Sequence, residues 1–241
     1  MKFPYEMIVC IVNTGFSEDV MTAAKECGAR GGTVIRGRWV GSRTIEKVSG
    51  IMLQEEKEIL AIVASEQHRK KIMEEHTMKN CALVVIDLQN DITKHYREII
   101  ENVNAAINWA VEKELWVIYI QHNNLSAGTR TFKPGTQGAE LVPELKVVSD
   151  HMFTKAKSSA LTNESFAAFL QEHGITHCYL AGADAAACIK STCFNMRKSG
   201  YAVHVLSDCI TSYDKRRLPE LLSYYESKGC SVIALSDVLR A

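Results

Sequence analysis

The sequence has no excess of either charge. Its 28 Lys and Arg balance 28 Asp and Glu in 241 residues, so nothing global steers it toward nucleic acid or an anionic membrane. It has no long apolar runs either: stretches such as Cys81–Ile86 fall far short of the ~20 residues that span a bilayer. Lys2 is followed by Pro4, Tyr5 and Glu6 rather than by an apolar core, which predicts no secretion signal. The eight cysteines are scattered and include no Cys-x-x-Cys pair, as expected of reduced thiols in a cytoplasm. These absences describe a soluble, cytoplasmic globular protein, with one large domain or two small ones.

What is present is a succession of short apolar runs and helical periodicities. Met7–Val12 reads as a strand, Thr14-Gly15-Phe16 as a turn, and Ser17 as an N-cap followed by Glu18 and Asp19 in the first helical turn. Val20, Met21, Ala24 and Cys27 carry that helix to a stop at Gly28. Strands follow at Thr33–Arg36 and Glu58–Ala64, separated by a polar, glycine-containing loop at Gly37–Gly50. Ser65 caps a second helix that ends near His76.

The stretch from Ile8 to Arg38 (IVCIVNTGFSEDVMTAAKECGARGGTVIRGR), with Glu55-Glu-Lys-Glu-Ile-Leu60 after it, resembles the PII-like nitrogen-regulatory proteins. The most specific part is Gly28-Ala-Arg-Gly-Gly-Thr-Val34. The resemblance implies a small α+β ferredoxin-like domain, a trimer, a long loop between its second and third strands, and a small effector. The family's phosphate-contacting loop and last strand have no counterpart after His76, so the segment is expected to be truncated. A sheet left with an unpaired edge favours self-association or packing on the rest of the chain. Thr77–Asn80 is the expected junction, giving a PII-like domain at 1–77 and a second domain at 78–241.

Beyond Cys81 strands and helices alternate. Strands are expected at Cys81–Asp87, Trp116–Gln121, Cys178–Gly182, Val203–Leu206 and Ser231–Leu235. Helices are expected at Tyr96–Lys113, Phe166–His173, Ala187–Ser199 and Leu218–Lys228. This pattern predicts an α/β domain: a parallel sheet of about six strands with helices on both faces. In such sheets ligands bind beyond the carboxyl ends of the strands, where Asp87, Gln121 and the stretch Gly182–Cys188 fall.

Chemistry can be assigned to some of these residues. Cys188 opens a helix, where the dipole and free N–H groups favour a thiolate. Asp87 closes an apolar strand, and partial desolvation there raises the proton affinity of a carboxylate toward that of a general base. Lys155 follows the apolar stretch Asp150-His-Met-Phe-Thr154 and could reach the same cleft, and Lys157 lies two residues on.

Val84-Val-Ile-Asp-Leu-Gln-Asn-Asp91, Lys155-Ala-Lys-Ser-Ser-Ala-Leu161 and Gly182-Ala-Asp-Ala-Ala-Ala-Cys-Ile189 resemble the three signature blocks of the isochorismatase-like cysteine hydrolases, over residues 80–239. The resemblance implies a catalytic triad of Asp87, Lys155 and Cys188. It also implies a non-proline cis peptide between Ala183 and Asp184, which aims the N–H of Asp184, with that of Cys188, at a substrate oxyanion. Asp184 is unusual at that position; its side chain has two roles open, contact with a substrate cation or a cap on the helix at Cys188. The activity implied is cleavage of an amide or carbamoyl C–N bond through a thioester. The alternatives are an ether or ester bond, as in isochorismatase, or an inactive fold that binds an effector. Nicotinamidases of the family carry an Asp-x-His pair after the second strand of this domain, where this chain has Gln121-His122-Asn123-Asn124, so neither a metal nor another cofactor is expected. Gln121, His122, Asn123, Arg130 and Phe132 are expected to face substrate, and the protein to be a homo-oligomer, in threes by the first resemblance and in twos or fours by the second.

Overall fold

The computed structural model describes residues 5–15, 17–38, 56–69, 72 and 80–240. The expected loop beyond Arg38, the helix end near His76 and the junction before Asn80 lie outside the described residues. The chain divides into two units, Met1–Met78 and Lys79–Ala241.

In the first unit β1 (Tyr5–Asn13), α1 (Ser17–Glu26), β2 (Gly32–Arg38) and β3 (Glu56–Ser65) build a three-stranded sheet in the order β1-β3-β2. β3 runs antiparallel to both neighbours, pairing Ile62 with Ile8 and Leu60 with Val34. β1 and β2 are therefore parallel, joined through α1 in a split β-α-β arrangement. Val20 and Ala24 of α1, and Cys27 just beyond it, pack with Ile8, Leu60 and Ile62. Gly28 ends this stretch at φ +97°, a conformation that glycine adopts without strain. The Ser65 hydroxyl accepts the His68 N–H at 3.3 Å, so the expected cap forms. On the other face Tyr5, Met7, Val9, Ile11 and Val63 are exposed.

The second unit is a six-stranded sheet in the order β6-β5-β4-β7-β8-β9, parallel throughout. β4 (Cys81–Ile86) lies at its centre and is buried at every residue, which is why its sequence is continuously apolar rather than alternating. β5 (Trp116–His122), β7 (His177–Ala183) and β8 (Ala202–Thr211) are longer than expected from sequence, and β9 (Ser231–Ile233) is shorter. Leu235 opens a one-turn helix, Leu235–Val238, instead of closing the last strand. The sixth strand, β6 (Met152–Lys155), is a four-residue edge too short to stand out as a run.

α2 (Ile100–Glu112) packs on β4, β5 and β8 through Val103, Ala106, Ile107 and Ala110. α3 (Glu164–Glu172), α4 (Cys188–Lys198) and α5 (Leu218–Ser227) contribute Phe166, Leu170, Ile189, Met196, Leu221 and Tyr225 to a core shared with Val84, Ile118 and Leu180. Each such side chain contributes roughly 1.5–3 kcal/mol by leaving water.

The strand order has one functional consequence. In this sheet the chain enters in the middle at β4, moves outward through β5 to β6, then returns to the other side of β4 as β7. β4 and β7 therefore flank the point where winding reverses, and the loops leaving them diverge to open a crevice at their carboxyl ends. Close approach of the two strands depends on Gly182, at φ +115°. A Cβ there would lie 2.1 Å from the Ile86 carbonyl oxygen.

Candidate active site

Four strand ends deliver side chains to this crevice. Asp87 follows β4 with φ 54°, a left-handed conformation that turns the chain sharply out of the sheet. His122 and Lys155 close β5 and β6, which pair side by side with His122 opposite Lys155. Cys188 opens α4 after the turn that leaves β7.

The Lys155 ammonium sits at the middle of the group. Nζ donates to Asp87 Oδ2 at 2.7 Å, meets His122 Nδ1 at 3.2 Å and donates to Cys188 Sγ at 3.3 Å. An ammonium has three N–H donors, and here each has an acceptor. His122 Nδ1 accepts, which leaves the imidazole proton on Nε2. Burial, reinforced by Lys155, holds the His122 pKa below its ordinary value, so this ring is neutral.

Asp87 and Lys155 are both buried, while Cys188 is part-exposed at the mouth. Asp87 Oδ1 has no hydrogen bond among the described residues. Burial raises the proton affinity of Asp87 above the usual carboxylate range, opposed mainly by the charge of Lys155 and in part by the neighbouring thiol. The Cys188 thiol is pushed up to about 12, first by burial and then by the Asp87 charge, with Lys155 offsetting part of the rise. The expectation of a thiol acidified by its helix position is therefore corrected: desolvation by distant elements outweighs the worth of a helix N-terminus.

The turn before Cys188 is held from several sides. The Ala183–Asp184 peptide is cis, at the position the sequence blocks implied. Ala185 donates its N–H to Thr211 O at 2.9 Å, and the Tyr225 hydroxyl donates to Ala185 O. The Asp184 carboxylate accepts four hydrogen bonds. Ala186 N–H and Ser212 Oγ reach Oδ1 at 2.6 and 3.0 Å; the Tyr96 hydroxyl and Tyr213 N–H reach Oδ2 at 2.9 and 2.7 Å. Of the two roles open from sequence, the structure favours the local one, since this carboxylate is already saturated by the chain. It ties the turn rather than α4 itself, whose N-cap, Ala187, has no side-chain cap. The backbone N–H groups of Asp184 and Cys188 donate to nothing among the described residues.

Of the residues expected to face substrate, His122 is in the cluster and Phe132 stands against it, ring centroids 5.2 Å apart. Asn123 donates its N–H to Lys155 O at 2.7 Å, and Gln121 Nε2 donates to Ala139 O at 3.2 Å, so both brace the loops. Arg130 is not brought to the site; it is exposed and makes no hydrogen bond or ion pair among the described residues. Lys157 is exposed too.

Two positioning residues escaped the sequence reading. Gln89, fully buried, gives Nε2 to His122 O at 3.0 Å and Ala139 O at 2.7 Å, and takes the His122 N–H on Oε1 at 2.7 Å. Asp91 Oδ2 accepts the Phe132 N–H at 2.6 Å, an approach open only because Gly138 has no Cβ. Their one signal was a polar run directly after a wholly apolar strand.

The ligand atoms of Asp87, His122 and Cys188 lie within 4.8 Å of one another, a spacing a metal ion could bridge. These residues do not fit a metal well, because the Lys155 ammonium already stands among them and would repel a second cation.

A thiol, a carboxylate and an ammonium meeting at the switch point of a doubly wound parallel sheet define a class of site suited to nucleophilic catalysis at sulfur. The family model of the isochorismatase domain matches residues 81–237, and the chain belongs to the isochorismatase-like hydrolase family. It is 30% identical over 156 residues to a probable inactive nicotinamidase of Arabidopsis thaliana, an alignment covering 54% of this chain and 80% of that one. An isochorismatase family protein from Desulfovibrio vulgaris shares the fold with a TM-score of 0.62 at 19% identity, over 67% of this chain and 99% of that one. The pyrazinamidase of Pyrococcus horikoshii, solved with zinc, gives 0.57 at 22% identity, over 64% of this chain and 99% of that one.

Proposed function

We propose that the chain is a metal-independent cysteine hydrolase that cleaves an amide or carbamoyl C–N bond of a small molecule. Asp87, Lys155 and Cys188 form its triad. The observation that carries this reading is the buried Lys155 ammonium, 2.7 Å from Asp87 Oδ2 and 3.3 Å from Cys188 Sγ, with Asp87 Oδ1 left free.

Each oxygen of Asp87 then has its own task. Oδ2 is tied to Lys155, and Oδ1 is the base that takes the thiol proton. With the thiol pushed up to about 12, a standing thiolate is scarce at neutral pH, so proton transfer accompanies attack on the substrate carbonyl carbon. A carboxylate of raised proton affinity narrows the gap for that transfer. The new oxyanion is received by the free N–H groups of Asp184 and Cys188. Asp87 returns its proton to the leaving nitrogen, and ammonia or an amine departs, leaving a thioester on Cys188. Water adds to the thioester carbonyl with Asp87 again taking a proton, and the acid departs as the thiol reforms. The Lys155 ammonium offsets the negative charge that moves between Asp87 and sulfur. His122, neutral with Nε2–H, and Phe132 supply one polar and one apolar face for the substrate.

The first unit is read as a truncated PII-like module that senses a small effector and adjusts this site, in a cytoplasmic homo-oligomer. Its split β-α-β order and its exposed apolar sheet face support that part of the reading.

The test compares wild type with Cys188→Ala on a panel of small amides, ureas and carbamoyl compounds. Turnover by wild type at least about a thousandfold above the variant, with an acyl adduct on Cys188 in quenched samples, supports the hydrolase. Equal, negligible rates on every compound, together with binding of a nucleotide or other anion to the full chain, support instead an effector-binding protein with an idle hydrolase fold. The name of the Arabidopsis relative favours keeping that second reading.

A further inference from the structure

Cys193 lies on α4, five residues beyond the candidate nucleophile, and Cys230 immediately precedes β9. Both are buried and free, and their sulfur atoms stand 2.8 Å apart. They belong to one core cluster, where a structural thiol serves as a small apolar side chain. Three further observations set this pair apart from the other cysteines.

The first is contact. A disulfide needs its sulfurs at about 2.05 Å, and these two already stand 2.8 Å apart. The second is a neighbouring cation. Arg197, one turn beyond Cys193 on α4, brings its guanidinium to within 3.1 Å of the place a Gly229 Cβ would occupy, directly beside Cys230. Its charge favours thiolate at both sulfurs. The two sulfurs share one S–H contact in which either can donate. Cys230, 5% exposed against 0% for Cys193, is the sulfur nearer solvent and so the attacker, with Cys193 the resolving partner. The third is access. Cys230 is 5% exposed, but Lys228, Gly229 and Ser231 around it lie on the surface, next to a three-residue strand at the sheet edge.

We propose that Cys193 and Cys230 are a redox-modification site: in the presence of a peroxide they form a reversible disulfide that staples α4 to the edge of the parallel sheet. The Cys230 thiolate attacks one peroxide oxygen, the O–O bond breaks, and the departing hydroxide leaves as water after gaining a proton. The sulfur, now oxidised, carries the remaining OH as a sulfenic acid. Cys193 sulfur then attacks Cys230 sulfur, loses its own proton, and expels that OH as a second water. Two thiols and one peroxide give one disulfide and two waters. A dithiol reductant reverses the bond by exchange. The staple closes a loop between residues 37 apart in sequence and holds the helix whose first residue is Cys188.

The full chain is treated with hydrogen peroxide, and its peptides are mapped by mass spectrometry without reduction. The expected product is a Cys193–Cys230 linked peptide lighter by two hydrogens, absent after dithiothreitol. The midpoint of thermal unfolding should rise by roughly 5–10 °C on oxidation and return on reduction. Cys193→Ala and Cys230→Ser should each abolish the link and the shift. Where one variant does not fold, the other carries the test. The proposal is overturned if peroxide converts Cys188 or other thiols to acids while the 193 and 230 peptides stay unlinked. A thermal shift that persists in a folded single variant overturns it as well. None of these readings requires a known substrate, so they stand or fall apart from the hydrolase activity.

Discussion

Two strands of nearly the same chemistry meet different fates in this molecule. β1 carries Met-Ile-Val-Cys-Ile-Val and β4 carries Cys-Ala-Leu-Val-Val-Ile. In β4 every residue is buried, because helices cover both faces of the six-stranded sheet. In β1 alternate residues are exposed: Met7 at 66%, Val9 at 52% and Ile11 at 66%, against Ile8 at 5%. An apolar run therefore announces a strand without saying how many of its faces will be covered; the number of helices wound around the sheet decides that. The difference extends to chemistry. Among the described residues, it is the doubly covered sheet that withdraws an aspartate and a lysine together at its strand ends and gathers a reactive group there. The open sheet offers a surface instead, larger in apolar extent than scattered exposed residues would make.

The sharpest way to break the comparison is to remove the desolvated charges. Lys155→Met keeps the volume and leaves Asp87 buried with no counter-charge. We expect activity to fall by about a thousandfold or more, and denaturant titration to show a loss of roughly 3–5 kcal/mol. Retention of most activity would mean the ammonium is not part of the machinery. Gly182→Ala comes next: the new methyl would overlap the Ile86 carbonyl at a φ that alanine resists, so we expect several kcal/mol of destabilisation and poor folding yield. A matched pair then compares the sheets directly. Ile118→Ala, in the covered sheet, should cost about 2–5 kcal/mol, while Ile11→Ala, on the open face, should stay within about 0.5 kcal/mol by the same titration. If Ile11→Ala costs as much as Ile118→Ala, that face is covered in solution.

Titration gives a finer test. Because the Cys188 pKa is raised to about 12, its thiolate fraction keeps growing with pH well after an ordinary thiol, near 8.5, is fully ionised. Iodoacetamide labelling of Cys188 should therefore climb about tenfold per pH unit through pH 8–10 without levelling, followed by peptide mapping. A plateau below pH 8 would show that the ammonium outweighs burial. The smallest effect is expected from Tyr96→Phe, which removes one of the four donors to Asp184. A stability loss of about 0.5–1.5 kcal/mol and a modest fall in kcat would fit a positioning role.

That Asp87, Lys155 and Cys188 would meet was implied by the resemblance of three sequence blocks, and the position of the strand ends agreed with it. Asp87, Lys155 and Cys188 each follow an apolar stretch, and a parallel sheet must bring such ends to one side. The order of the N-terminal strands and the cap at Ser65 followed from the same local rules. What escaped depends on meetings between loops far apart in the chain. Asp184 is saturated partly by Tyr96, 88 residues away, and Gln89 fixes His122 and Ala139 across 33 and 50. Neither arrangement leaves a periodicity to read. Arg130, expected to face substrate, sits on an irregular connection where no repeat fixes direction. The thiol pKa failed for a related reason: helix position is local and visible, while desolvation is supplied by the whole fold.

The three acceptors around Lys155 amount to a socket with the symmetry of a tripod. A carboxylate oxygen, an imidazole nitrogen and a sulfur each receive one leg of an sp³ ammonium, and its side chain is fully hidden. Arginine would bring the same charge as a flat fork with five hydrogens, too broad for the socket and with donors left over in a dry place. At this position the two basic side chains are therefore not interchangeable: shape, as much as charge, selects lysine.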